Sequence, residues 1–165
     1  MRSLFSFPNP VNEKAARVVA GTVMVAGIVT LATGVYWLLI PIAYGFWARV
    51  LTGPTLSPLG WAAQTVVAPR LGEKKYVAGP PKRFAQGMGA AFSTLALVSG
   101  LILGDHLVAD VLLVMLVLAA GLESIFAYCL GCNVFAVLMR VGLVPEAVCA
   151  ECADIRGRLG VPQQS

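Results

Sequence analysis

A chain of 165 residues that is 58% hydrophobic and 12% charged carries about half the charged fraction of an average soluble domain, too little to cover its apolar surface in water. Its formal net charge of +4 needs no nucleic-acid partner, because basic residues beside anionic lipid headgroups account for it. The lysines and arginines fall into three clusters: Arg2, Lys14 and Arg17; Arg49, Arg70, Lys74, Lys75, Lys82 and Arg83; and Arg140, Arg156 and Arg158. Positive charge is retained on the cytoplasmic side of a membrane. The pattern therefore predicts one all-α, polytopic domain over residues 1–165. It would lie in the lipid bilayer of the cell (plasma) membrane as two helical hairpins, with both termini and the central loop cytoplasmic.

In chain order, Pro8 and Pro10 precede Asn12, which reads as the N-cap of a helix starting near Glu13. Lys14 and Arg17 before an apolar stretch suggest a secretory signal, but the stretch runs on past Gly34 with no small-residue cleavage pattern, so it reads as a retained span. From Val18 to Ala48 there are 31 uncharged residues, too many for one span of ~20 and few for two. A single helix would leave Tyr36 and Trp37 at the bilayer centre. A hairpin turning near Gly34 puts them at one interface and Tyr44, Phe46 and Trp47 at the other. The predicted spans are about 15–33 and 35–51, with Lys14, Arg17 and Arg49 snorkelling to make up the length.

Residues 52–83 read as a cytoplasmic loop. Ser57 and Pro58 are the N-cap and first residue of an interfacial helix of about three turns that bears Trp61 and stops before Pro69. LGEKKYVAGPPKR follows as a polar, proline-rich connector. The second hairpin has spans of about 84–104 and 107–128. Gly87, Gly89, Ser93, Gly100 and Gly104 give the third span small-residue faces that permit homo-oligomers without requiring them. Asp105 and His106 form the outer turn, with Asp105 as an N-cap. Asp110 and Glu123 are the intramembrane polar residues of the fourth span. Arg17, Gly21 and Gly34 recur 66 residues later as Arg83, Gly87 and Gly100, the pattern of a parallel internal repeat.

The sharpest chemical signal is four cysteines in two CxxC pairs, Cys129/Cys132 and Cys149/Cys152, with 16 residues between them. That spacing matches a tetrahedral zinc site with two thiolates from each pair. Continuing the fourth helix through Arg140 and folding a short helix that starts at Pro145 back against it would bring the pairs together in the cytoplasmic segment 129–165. Cytoplasmic thiols are kept reduced, so a structural or regulatory zinc site, a thiol-disulfide or sulfur relay and inert thiols are the alternatives. On such a helix the first pair occupies late turns, where the dipole disfavours a thiolate, and Cys149 is the better nucleophile. Glu123 offers a third class, a small transporter using the acid as proton or ion ligand. No nucleotide loop or nucleophile elbow is present, so an enzymatic role stays open.

The boxes FPNPVNEK, SPLGWAAQ, KRFAQGMG and FAYCLGC, in that order between about Phe7 and Met139, resemble a bacterial family of small four-span integral membrane proteins known as a domain of unknown function, with a CxGC motif ending the last span. The resemblance implies four spans, signature cysteines at Cys129 and Cys132, and links with thioredoxin-like and sulfur-handling partners. It assigns no reaction. Cys149 and Cys152 lie beyond the family pattern, so a four-thiolate site would not be the family's shared function if shorter relatives work with the first pair alone.

Overall fold

The computed structural model describes residues 11–72 and 76–143, nearly all of them helical. Helix α1, Glu13–Thr33, starts where the Lys14 amide donates to Asn12 Oδ1 at 3.1 Å and ends at Gly34, whose φ of 67° suits a left-handed cap. A 3-10 turn, Tyr36–Leu38, leads into α2, Leu39–Thr52. Helix α3, Pro58–Ala62, has the expected Ser57 cap, with the Gly60 amide donating to Ser57 Oγ. It runs on through a wide turn, Ala63–Val67, and a 3-10 turn, Ala68–Leu71, and so passes through Pro69 rather than stopping before it. Ala63 and Ala68 of this segment pack on Ala15 and Val19 of α1.

Helix α4 begins at Gly79, earlier than the sequence suggests. Pro80 and Pro81 fill its first turn, where a missing N–H costs nothing, so the proline-rich connector is itself a helix start. The helix extends to Leu97 and continues as a wide turn through Leu103; α5 covers His106–Phe126 and α6 Leu130–Arg140. Val11–Asn12 and Tyr76–Val77 pair antiparallel as β1 and β2, Val11 opposite Val77, and tie the entry of α1 to the entry of α4.

The bundle interleaves the hairpins: α1 packs chiefly on α5, and α2 on α4. Leu39 and Leu113 are fully buried at its centre, with Val23, Ile42, Phe46 and Leu116 around them. The 66-residue relation shows itself in this exchange. Arg17 of α1 donates to the Ser124 and Ile125 carbonyls at the end of α5, at 3.0 and 3.1 Å, while Arg83 of α4 donates to the Val50 carbonyl at the end of α2, at 3.0 Å. Each arginine thus satisfies terminal carbonyls of a helix in the other hairpin. Gly34 and Gly104, φ 67° and 68°, are the left-handed caps that end the first helix of each hairpin.

Among the described residues, three helices are long and apolar enough to cross a membrane: Glu13–Thr33, Gly79–Leu103 and His106–Phe126, with mean hydropathies of 1.9, 1.5 and 2.2. Helix α2, at 14 residues, is shorter than the ~20 that a full span needs. Large apolar side chains such as Ile102, Leu107, Leu118 and Phe126 face outward, as they do on a surface meant for lipid.

Candidate functional site

The helix that carries Glu123 does not continue through Arg140. It ends at Phe126, and Ala127 takes φ 56°, ψ 23° in the left-handed region, alone among the described non-glycine residues. The Ala127 and Tyr128 amides both donate back to the Leu122 carbonyl, so the chain leaves the helix axis, and Cys129 becomes the extended N-cap of a new helix, α6. The first cysteine pair therefore occupies a helix's first turn, not the late turns expected from the sequence. There the dipole favours a thiolate.

Helix α6 folds back over α4. Phe135 meets Phe84 with ring centroids 5.6 Å apart, and Gly131 lies so close to α4 that an added Cβ would stand 2.5 Å from Ala85 Cα. Gly131, between the two cysteines, is thus what lets the CLGC turn seat against the bundle. Gly131→Ala is expected to lift α6 from α4 at a cost of about 1–3 kcal/mol and to make both cysteines more accessible, read as faster labelling by a bulky maleimide.

Beneath Cys129 lies a polar cluster that the sequence does not announce. Lys82, in the first turn of α4, forms an ion pair with Glu123 of α5, the two side chains only 7% and 14% exposed. Lys82 is therefore not a solvated member of the basic loop but the partner of Glu123. Arg49 does not snorkel. It is 6% exposed, its Nε donates to Gln86 Oε1 at 2.8 Å, its Nη1 reaches Ser57 Oγ at 3.4 Å, and it lies 4.7 Å from the centroid of Phe46. Its Nη2 is the single buried side-chain nitrogen or oxygen without a hydrogen-bond partner among the described residues.

Arg49, Gln86, Glu123 and Cys129 share the wall of a cavity of about 170 Å³, otherwise lined by apolar residues of α1, α2, α4 and α5, including Val23, Phe46, Met88 and Phe92. Cys129, in this wall, and Cys132, one helical turn on, are unlike. A hydrogen bond from the Cys132 thiol holds Cys129 below the ordinary thiol range and outweighs burial and the Glu123 charge, with Lys82 assisting. The same hydrogen bond, joined by burial, pushes Cys132 up. The same contact thus favours the charged form of Cys129 and the protonated form of Cys132.

The other expected site residues divide. Asp105 caps α5, its Oδ1 accepting from the Val108 amide at 3.1 Å, as the sequence indicates. His106 stacks on Tyr36 with centroids 4.7 Å apart, and the Tyr36 hydroxyl donates to Asp110 Oδ1 at 2.8 Å, so this trio ties the two hairpin turns together at the end opposite the thiols. Cys149 and Cys152, and the short C-terminal helix expected to bear them, lie outside the described residues. Among the described residues no group of three or more His, Cys, Asp or Glu is placed to hold a metal ion. Sequence reasoning missed Lys82, Arg49 and Gln86. Only the Gly79-Pro80-Pro81 helix start could have drawn Lys82 into the bundle.

A family model described as "Domain of unknown function (DUF4395)" matches residues 11–140, and the chain belongs to that family. No curated protein and no solved structure matches the chain.

Proposed function

We propose that this member of the DUF4395 family is a membrane-embedded thiol-disulfide relay, with Cys129 as nucleophile and Cys132 as resolving thiol, working with a thioredoxin-like or sulfur-handling protein. The observation that carries it is the division of labour within the pair: a depressed thiol at a helix N-cap and a raised one a turn later. The Cys129 thiolate attacks a disulfide sulfur of the partner and releases one partner thiolate. Cys132 then gives up its proton and attacks Cys129 Sγ, which leaves Cys129–Cys132 oxidised and the partner a dithiol; the sequence runs in either direction.

In this reading α2, with the turn before it, is a short fourth span, and the chain crosses the plasma membrane as two hairpins. The termini of the helices that carry Arg17, Arg49, Lys82, Arg83 and the cysteines gather at one end of the bundle, which supports a cytoplasmic site under the positive-inside rule. Zinc binding by all four cysteines needs Cys149 and Cys152 brought to the same place.

The test is partner trapping. Purified Cys132→Ser protein mixed with oxidised thioredoxin should accumulate a reducible mixed disulfide through Cys129, and Cys129→Ser should give none. A Cys132→Ser protein whose Cys129 stays reactive to small alkylating agents yet forms no adduct would sink the relay. About one zinc per chain, lost in each single Cys→Ser variant, would favour the metal site instead.

A further inference from the structure

The cavity behind Cys129 is too apolar and too well placed to be only a packing defect. Its volume of about 170 Å³ is close to that of an apolar cavity of ~150 Å³ that accepts a benzene ring. Phe46, Phe92, Met88 and Met115 offer it aromatic faces and thioethers. Two polar features interrupt the apolar wall apart from Gln86: the Arg49 guanidinium, with one buried nitrogen unpartnered, and the ion-paired Glu123. An unmatched buried donor calls for an acceptor, while the carboxylate disfavours a ligand that arrives as an anion. A neutral, flat ring bearing a carbonyl oxygen satisfies both conditions, and Cys129 of the dithiol opens onto the same space.

We propose that the cavity is the binding site of a lipid-soluble quinone, and that the Cys129–Cys132 dithiol reduces it. This rests on the relay reading above and names its electron acceptor. The Cys129 thiolate and the Cys132 thiol together lose two electrons and one proton on closing the disulfide. The quinone takes the two electrons, the Cys132 proton and one further proton from water, and becomes the hydroquinone. Arg49, which stands in the cavity wall, supplies the positive charge beside the carbonyl oxygen on which negative charge grows as the electrons arrive. A thioredoxin-like dithiol then restores the chain by exchange, so electrons run from the soluble thiol pool to the membrane quinone pool. The two sites share Cys129: the partner reaches it from outside, the quinone from the cavity.

The experiment uses the full chain in detergent, reduced and free of oxygen, with ubiquinone-1 as the probe. One quinone should be consumed for every two thiols lost. Ala119→Phe, which extends a ring into the cavity from a half-buried wall position, should slow quinone reduction about tenfold or more while leaving oxidation by glutathione disulfide unchanged. Arg49→Lys should slow the quinone step by about tenfold through loss of the second hydrogen-bonding arm. Binding is read apart from chemistry in Cys129→Ser/Cys132→Ser, whose thermal midpoint should rise with ubiquinone-1 and whose Ala119→Phe derivative should show no such rise. Normal oxidation by glutathione disulfide without quinone consumption, or quinone reduction untouched by Ala119→Phe, would overturn the quinone site and leave the relay standing. Thiols that neither glutathione disulfide nor ubiquinone-1 oxidises would overturn both.

Discussion

Replacing Cys132 by alanine is expected to shift the onset of Cys129 alkylation to higher pH, whereas replacement by serine leaves most of the low-pH reactivity in place. In the wild-type chain the Cys129 thiolate is held chiefly by the hydrogen bond from Cys132. The sign follows from which form that bond favours. It stabilises the charged form, so Cys129 is reactive above its lowered pKa and falls silent only below it. Alanine removes the thiol donor, so burial and the Glu123 charge, which favour the protonated form, are opposed only by Lys82 and the residue 132 amide. Reactivity at neutral pH should then fall by about tenfold or more, the worth of one hydrogen bond to a charged group. Serine keeps a hydroxyl donor at the same place. The reciprocal variant has the opposite sign: Cys129→Ser removes the neighbour that chiefly keeps Cys132 protonated, so Cys132 should alkylate at lower pH than it does in the wild type. Iodoacetamide rate profiles from pH 5 to 9, resolved by peptide mass, check all three. Equal profiles for the alanine and serine variants would remove Cys132 as the cause.

The parts of this fold legible in the sequence are those set locally. Asn12, Ser57 followed by Pro58, and Asp105 each announce a helix start with side chains that can satisfy only nearby amides, and all three cap as expected. What could not be read depends on helices far apart in the chain. Lys82 looks like any member of a basic loop until α4 begins at Gly79 and α5 brings Glu123 beside it, 41 residues away. Arg49 sits at the end of an apolar run, where snorkelling is the ordinary outcome; the short α2 and its packing on α4 bury it instead. The break after Phe126 was hidden because no glycine or proline marks it. Its sign is Gly131 inside the cysteine motif, whose missing Cβ is needed only once α6 lies on α4. The single misplaced helix end carried the largest consequence, because it moves the first cysteine pair from the unfavourable end of a dipole to the favourable one.

Glu123→Gln is expected to destabilise the protein by about 3–5 kcal/mol, because it removes one member of a buried ion pair and leaves the other unpaired. Lys82→Met should cost a similar amount, and Lys82→Met with Glu123→Leu should recover most of the loss, since the desolvation of both charges disappears with them. Thermal midpoints in detergent for the two single variants and the double variant complete the cycle. Additive losses in the double variant would show that the pair is not coupled. The surroundings sharpen the argument. Arg49 and Lys82 are two buried cations against the one carboxylate of Glu123, and a Cys129 thiolate is the charge that brings the group to neutrality. With Glu123 neutralised, the carboxylate no longer opposes the thiolate while Lys82 still favours it, so the Glu123→Gln variant should be less stable yet more reactive at Cys129. A transporter that uses Glu123 as its ion ligand requires the reverse pattern, folding intact and flux lost. A Glu123→Gln protein of unchanged midpoint and unchanged thiol reactivity would detach the acid from both the fold and the dithiol and return it to that role.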